Sequence, residues 1–431
     1  MLITILAMGS RGDVQPYVAL GVALQKAGAR VRIATLETFS SLVTSYGLEC
    51  YAIEGDLDGV MKSSVADNAR KADNPLKLLL SFNELKQVAM ALQAGLWAAC
   101  QDADLVIYHP GMALGYFAAQ ARGIPSVLGL PFPMTPTRAY PSLIFYDGPR
   151  LGGAYNLLTY KILQQIFWSA SSGNLRDFWK REFGKLPAQF GSPFARQTRA
   201  THPTVVSCSP HVFAQADDFP PHVHHTGFWF LDEEPGWTPP AALTDFLGRG
   251  PAPVYVGFGS IGDPKQAAQT ARTVAEALRR TGQRGILATG WQGSSDEPLS
   301  ENIFTLESAP HAWLFPRMAA VVHHGGAGTT AAGLRAGVPA VVIPHGLDQP
   351  AWARRVRELG VGTSLPHKRL SAERLAEAIQ YVLKSEVREA AGALGEKIQS
   401  ENGAENAAKI IVDVIARRAQ PDDPAPAVLG R

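Results

Sequence analysis

The stretch Val321-Val322-His323-His324-Gly325-Gly326-Ala327-Gly328-Thr329-Thr330 limits what this chain can fold into more than any other segment. An apolar run turns through small residues into a helix that ends at Gly337, which is half of a βα repeat. Repeats of this kind build a parallel sheet covered by helices on both faces. The same grammar opens the chain, with Leu2 to Met8 as a buried strand, Gly9 to Asp13 as a turn, and Val14 to Ala27 as a helix stopped at Gly28. Val31 to Thr35, Leu105 to Tyr108 and Ser126 to Leu130 continue the strands, with a helix around Met112 to Ala121. The residues from Ala154 to Glu182 read as helical and aromatic.

A chain of 431 residues exceeds the roughly 250–300 residues at which single cores stop growing, so two domains are expected. After the strand Thr204 to Ser207 the chain loses periodicity and becomes dense in Pro, Trp and acids. The repeat then restarts with a strand at Val254 to Gly257, a helix at Gln266 to Thr281, and strands at Gly285 to Ala288 and Ala320 to His323. This gives a first Rossmann-like domain over 1–225, a linker over 226–250, and a second Rossmann-like domain over 251–400. A helix over 401–418, packing back on the first domain, and a Pro-rich disordered tail over 419–431 complete the reading. Arg122-Gly123-Ile124-Pro125 and Arg335-Ala336-Gly337-Val338-Pro339 echo one another as helix end, turn and strand start.

Composition narrows the function classes. Hydrophobic content of 46% against 18% charged residues is a globular balance, and a net charge of +2 leaves no electrostatic footprint for nucleic acid. Cys50, Cys100 and Cys208 lie far apart, without disulfide or zinc spacing, so a reduced, cytoplasmic protein is expected. His222, His224 and His225 have no nearby carboxylate or Cys partner and read as packed or solvated rather than metal-binding. No stretch reaches the ~20 apolar residues of a membrane span, while a peripheral membrane contact stays open.

Two turns carry chemistry. After Val321 to His323, unpaired amides and the positive end of the following helix form an anion site that glycines let a phosphate approach. Thr329 can add a hydroxyl, and His324 a hydrogen bond or a positive charge. No Lys follows the last Gly, so the loop is not a P-loop. Gly257-Phe258-Gly259-Ser260-Ile261-Gly262 matches GxGxxG, but Ile286 to Trp291 offers no acid for a ribose, which ranks a dehydrogenase low. On the first turn, Asp13 suits either a helix cap or, with Arg11 beside it at the carboxyl end of the sheet, a base.

Together these stretches resemble the bacterial and fungal sterol glucosyltransferases and their glycopeptide-antibiotic relatives, within the inverting family that also holds plant UDP-dependent enzymes. The resemblance covers nearly the whole chain and rests on Gly9 to Pro16, Val254 to Ser260, Ala309-Pro310-His311, His323 to Thr330, and Asp348-Gln349. It implies the α/β GT-B fold, two facing Rossmann-like domains with an interdomain cleft. It implies Asp13 as catalytic base, Ser10 and Arg11 beside it near the diphosphate, and Ser260 facing the phosphates. Ala309 and His311 would hold the nucleobase and ribose. His324, Ala327, Gly328 and Thr329 would hold the diphosphate, and Asp348 and Gln349 the sugar hydroxyls. The co-substrate would be a nucleotide sugar, UDP-glucose first, with no metal and no further cofactor. Two departures bear on specificity. Ser308 stands where plant relatives carry a Trp, and His345-Gly346-Leu347 precedes Asp348-Gln349 where sterol enzymes commonly have an aromatic pair and Gly.

Phe132, Met134, Tyr140, Phe145, Tyr155, Phe167, Trp168 and Trp179 make the first domain aromatic. Phe132, Met134, Tyr140, Phe167 and Trp168 are the candidates for an apolar acceptor, with ordinary core packing as the alternative for each. The leading expectation is a hexosyltransferase acting on a hydroxyl of a sterol, polyketide or flavonoid-like acceptor. A nucleotide-sugar epimerase or hydrolase of the same fold, and a non-catalytic nucleotide-sugar binding protein, stay open.

Overall fold

The computed structural model describes residues 1–53, 86–187, 189–196, 202–231, 235–258, 264–288 and 300–418. Ser260, Trp291 and the tail 419–431 lie outside them. The chain divides into two units: Met1–Ser142, Arg150–Leu231 and Asn402–Arg431 form the first, and Leu143–Pro149 with Asp232–Glu401 form the second.

The first unit is built on β1 (Leu2–Leu6), β2 (Arg30–Leu36), β3 (Glu49–Ile53), β4 (Leu105–Tyr108), β5 (Ser126–Leu130), β6 (Thr204–Val206) and β7 (Val223–His225). They lie in the order β3-β2-β1-β4-β5-β6-β7, every pair parallel. β1, β4 and β5 are buried along their whole length, as continuous apolar runs covered on both faces must be. Helix α1 (Arg11–Lys26) covers one face through Val14, Tyr17, Val18 and Leu20. The C-terminal helix Gly403–Arg418 lies against it and buries Ala404, Ala407, Ala408 and Ile411, one stripe at helical spacing. Trp229 completes that cluster, its ring edge-on to Tyr17 at 5.7 Å.

The second unit repeats the plan with β8 (Val254–Gly257), β9 (Gly285–Ala288), β10 (Ile303–Leu306), β11 (Ala320–His323), β12 (Ala340–Val342) and β13 (Gly362–Ser364), parallel in the order β10-β9-β8-β11-β12-β13. Successive side chains of a strand point to opposite faces, and the core divides accordingly. Val254, Val256 and Val322 pack into one cluster, while Tyr255 and Val321 pack into another. The short segment Leu143–Pro149 is held within this unit. The Tyr146 hydroxyl donates to Glu358 Oε2 at 2.7 Å, and Arg354 donates to the carbonyls of Tyr146 and Gly148.

The internal echo is structural as well. Helix α2 (Leu114–Arg122) ends at Gly123 with φ +62°, and helix α4 (Ala327–Arg335) is followed by Gly337 with φ +67°; each glycine leads into a strand, β5 or β12. Between them in sequence lies the 31-residue helix α3 (Gly153–Phe183). Among the described residues no helix is long and apolar enough to cross a membrane.

Two outcomes test this packing. A Cβ on Gly403 would stand 2.4 Å from the Phe228 carbonyl oxygen and 2.5 Å from the Gly227 carbonyl carbon. Gly403→Ala should therefore lower stability by about 1–3 kcal/mol in denaturant unfolding, although Ala is the better helix former. An unchanged midpoint would contradict the packing of that helix. Buried histidines add a pH dependence: burial holds His225 at about 4 and His323 at about 3, below the ordinary 6.5. The unfolded chain takes up these protons near pH 6.5 and the folded chain only near 3–4. Stability should thus be full above pH 6.5 and fall as pH drops through that window, an acid loss that His225→Asn should reduce in thermal unfolding.

Candidate active site

In an open parallel sheet, ligands bind beyond the carboxyl ends of the strands, where the strand order reverses. That point lies between β1 and β4 in the first unit and between β8 and β11 in the second. Register pairs Leu6 with Tyr108 and His323 with Gly257, so the loops leaving each pair start side by side.

In the first unit the turn after β1 and the start of α1 carry Gly9, Ser10, Arg11 and Asp13. The helix begins at Arg11, not at Val14, because Ser10 takes the capping position and Asp13 falls at the third helical residue. Asp13 Oδ2 accepts from the Ser10 amide at 2.7 Å and from the Ser10 hydroxyl at 2.8 Å. Gly9, with φ +136°, makes room for this, since a Cβ there would stand 2.5 Å from Oδ2. Oδ2 thus completes the capping box, while Oδ1 has no hydrogen-bond partner among the described residues. Arg11 is exposed and donates to Gln15 Oε1 at 3.2 Å.

The loop after β4 supplies a residue the sequence reading missed. His109 is buried, and its Nε2 points at Asp13 Oδ1 across 3.9 Å. Burial lowers its basicity and the Asp13 charge raises it, with burial the larger cause. The available signal was positional, because His109 directly follows the strand Leu105 to Tyr108, which was identified from its apolar run.

In the second unit the turn between β11 and α4 is shaped by Gly325, whose φ of +92° and closeness to Val342 Cγ1 exclude a side chain. The buried His323 accepts the Gly325 amide on Nδ1 at 3.0 Å and so pins the turn from beneath. Gly326 caps α4, leaving the amides of Ala327, Gly328 and Thr329 as first-turn donors at the positive end of the helix. Thr330 is structural, its hydroxyl donating to the Gly326 carbonyl at 2.9 Å. His324 departs from one expectation: burial lowers it to about 4, so near neutral pH it offers a hydrogen bond and no positive charge.

Asp348 caps helix α5 (Gln349–Glu358), and its Oδ2 accepts from Trp352 Nε1 at 2.8 Å. Gln349 is 3% exposed, and its Oε1 accepts the His345 amide at 2.8 Å. Leu347 between them and His345 has φ +58° and is 64% exposed. Ala309 is half-buried at the start of the Ala309-Pro310-His311 loop. His311 stacks on Phe315 at 4.2 Å, edge-on to Tyr255. Trp313 is packed against Trp237, with Arg317 over its ring.

The aromatic residues of the first unit divide by burial. Phe132, Tyr140, Phe167 and Trp168 are half-buried, whereas Met134 and Trp179 lie in the core. Met134 thus presents no surface, and Phe145 belongs to the second unit. Phe167 lies between Phe132 at 6.4 Å and Phe194 at 6.5 Å, and Trp168 meets Phe190 at 5.4 Å. All seven residues from Ile166 to Ser172 are half-buried, unlike the alternation of a helix with one face in a core and one in water. The Tyr140 hydroxyl donates to the Ala214 carbonyl at 3.0 Å.

Comparison with known proteins fits both halves of this geometry. Residues 3–141 match the glycosyltransferase family 28 N-terminal domain, and residues 286–415 match the erythromycin biosynthesis protein CIII-like C-terminal domain. A sterol 3-beta-glucosyltransferase of Aspergillus terreus is 36% identical over 429 residues, and one of Yarrowia lipolytica is 37% identical over 429 residues. Each alignment covers 95% of this chain but only 30% and 28% of the relative, so the chain spans less than a third of their length. Among solved structures, the glycotransferase of kitacinnamycin superposes with a TM-score of 0.71 at 20% identity, covering 96% of this chain and 99% of that one. The glycosyltransferase SnogD from Streptomyces nogalater gives 0.67 at 21% identity with 96% and 99% coverage, and VinC, solved in complex with dTDP, gives 0.67 at 20% identity with 97% and 100% coverage. Two Rossmann-like parallel sheets of this order, each with its loops gathered at the strand reversal, give this chain the GT-B fold of these glycosyltransferase structures, and its sequence is similar to the sterol 3-beta-glucosyltransferases over nearly its whole length.

Proposed function

We propose that the chain transfers a hexose, glucose from UDP-glucose, to a hydroxyl of an apolar acceptor of the sterol class. The observation that carries this reading is the division of labour on Asp13, where one carboxylate oxygen is fixed by Ser10 and the other is left for an incoming hydroxyl. The relatives' names supply the sugar and the acceptor class, and the half-buried aromatic surface around Phe132, Phe167 and Trp168 supports an apolar acceptor.

A neutral alcohol is a poor nucleophile. A carboxylate accepting its proton during attack accelerates transfer by about 10²–10⁴-fold. In this mechanism the acceptor O–H breaks as Asp13 Oδ1 gains the proton, the acceptor oxygen bonds to the anomeric carbon, and the bond from that carbon to the diphosphate breaks. A single displacement inverts the anomeric centre. The leaving diphosphate takes the electron pair, and its growing charge is met by the amides of Ala327, Gly328 and Thr329, the α4 dipole, and a hydrogen bond from His324. Those donors stabilise the transition state more than the ground state, and the mechanism assigns no step to a metal ion. The Ser260 hydroxyl and Arg11 are proposed to assist at the phosphates, Ala309 and His311 at the nucleoside, and Asp348 and Gln349 at the sugar hydroxyls.

Two substitutions test the two halves. Asp13→Asn should keep UDP affinity within about twofold by calorimetry and cut kcat by about 10²–10⁴-fold, with mass spectrometry reading sugar added to a sterol. Transfer at a comparable rate would remove Asp13 as base. Gly326→Ala would put a Cβ 2.5 Å from His324 Nε2 and displace that ring. UDP affinity should fall by about tenfold, some 1.4 kcal/mol, and unaltered affinity would show that the turn does not hold the diphosphate.

A further inference from the structure

His109 has no role in the displacement as described, yet its environment is specific. Its Nδ1 accepts the Gly111 amide at 3.1 Å, which leaves the ring proton of the neutral form on Nε2. That N–H is buried and has no hydrogen-bond partner among the described residues. The ring lies edge-on to Tyr17 at 6.0 Å, and its Nδ1 has a structural use in holding the Gly111 amide, as His323 Nδ1 holds that of Gly325. Neither contact accounts for the buried Nε2–H. The atom the donor faces does, since Asp13 Oδ1, at 3.9 Å, is the oxygen that Ser10 does not hold.

We infer that His109 is a positioning residue for Asp13, donating Nε2–H to Oδ1 so that both carboxylate oxygens are oriented when an acceptor hydroxyl arrives. Catalytic hydrogen bonds are often long before substrate binds and tighten in the reacting complex. Oδ1 has lone pairs for both partners. The acceptor proton moves to Oδ1, and the Nε2–H bond stays intact throughout. His109 is not a proton relay, because Gly111 occupies Nδ1 and burial opposes the imidazolium form. The groups facing the ring are Asp13 and Tyr17 from α1 and the Gly111 amide from its own loop. The Tyr17 hydroxyl donates to the Gly129 carbonyl at 2.6 Å.

A donor at Oδ1 favours the ionised carboxylate, so its loss should show in the pH profile. The test is kcat/KM against pH for the full chain carrying His109→Phe or His109→Gln, with UDP affinity and thermal midpoint measured alongside. His109→Phe should lose about 10–100-fold in kcat, the scale of one hydrogen bond to a charged group, with UDP affinity kept. Its acidic limb should move to higher pH, and His109→Gln, which keeps an N–H donor, should recover part of both. The double variant Asp13→Asn/His109→Phe should be no slower than Asp13→Asn, because the pair acts as a unit. A wild-type acidic limb in His109→Phe, or losses that multiply in the double variant, would overturn the inference. Should His109→Phe fail to fold, the acidic limb of His109→Gln decides alone. The inference rests on Asp13 as base, and the two fail separately: an active Asp13→Asn removes the base, while an inactive Asp13→Asn with a wild-type profile in His109→Phe removes only the positioning role.

Discussion

Parallel pairing of β1 with β4, and of β8 with β11, is the constraint on which the rest of this molecule depends. In a parallel sheet the carboxyl ends of all strands fall along one edge. Crossovers that leave two neighbouring strands in opposite directions open a gap between their loops. The register Leu6 to Tyr108 puts Asp13 and His109 at such a gap, though 96 positions separate them in the chain (109 − 13). The register His323 to Gly257 does the same for the second unit.

Within these loops polar side chains are fixed by their near neighbours. Asp13 gives Oδ2 to Ser10, Gln349 gives Oε1 to the His345 amide, and Asp348 gives Oδ2 to Trp352. A side chain held in this way retains few rotamers, so it is ordered before any partner arrives. Burial acts on the histidines in the opposite way, removing charge instead of adding order. With His323 and His324 neutral, the positive potential at the α4 turn comes from backbone amides and the helix dipole, which do not titrate.

Much of this was legible in the residues. The strands of both sheets that were identified from apolar runs occupy positions within a few residues of those expected, because continuous Val, Ile and Leu runs bounded by glycine have few other folded states. The Gly325-Gly326 turn was legible for the same kind of reason, as a left-handed φ and a crowded approach leave only glycine. The start of α1 was not. Ser10 and Asp13 are both good capping residues, and choosing between them depends on which oxygen meets which amide.

The sequence by itself determined the two α/β repeats, the glycine turns, and the presence of a carboxylate and of a glycine turn opening a helix at strand ends, because these follow from local periodicity and backbone sterics. Only the tertiary structure decided that His109 stands against Asp13, that His324 is neutral, that Met134 is core, and that residues 143–149 belong with the second unit. Those outcomes depend on register and burial. Both are set by contacts between residues far apart in the chain, and no local pattern encodes them.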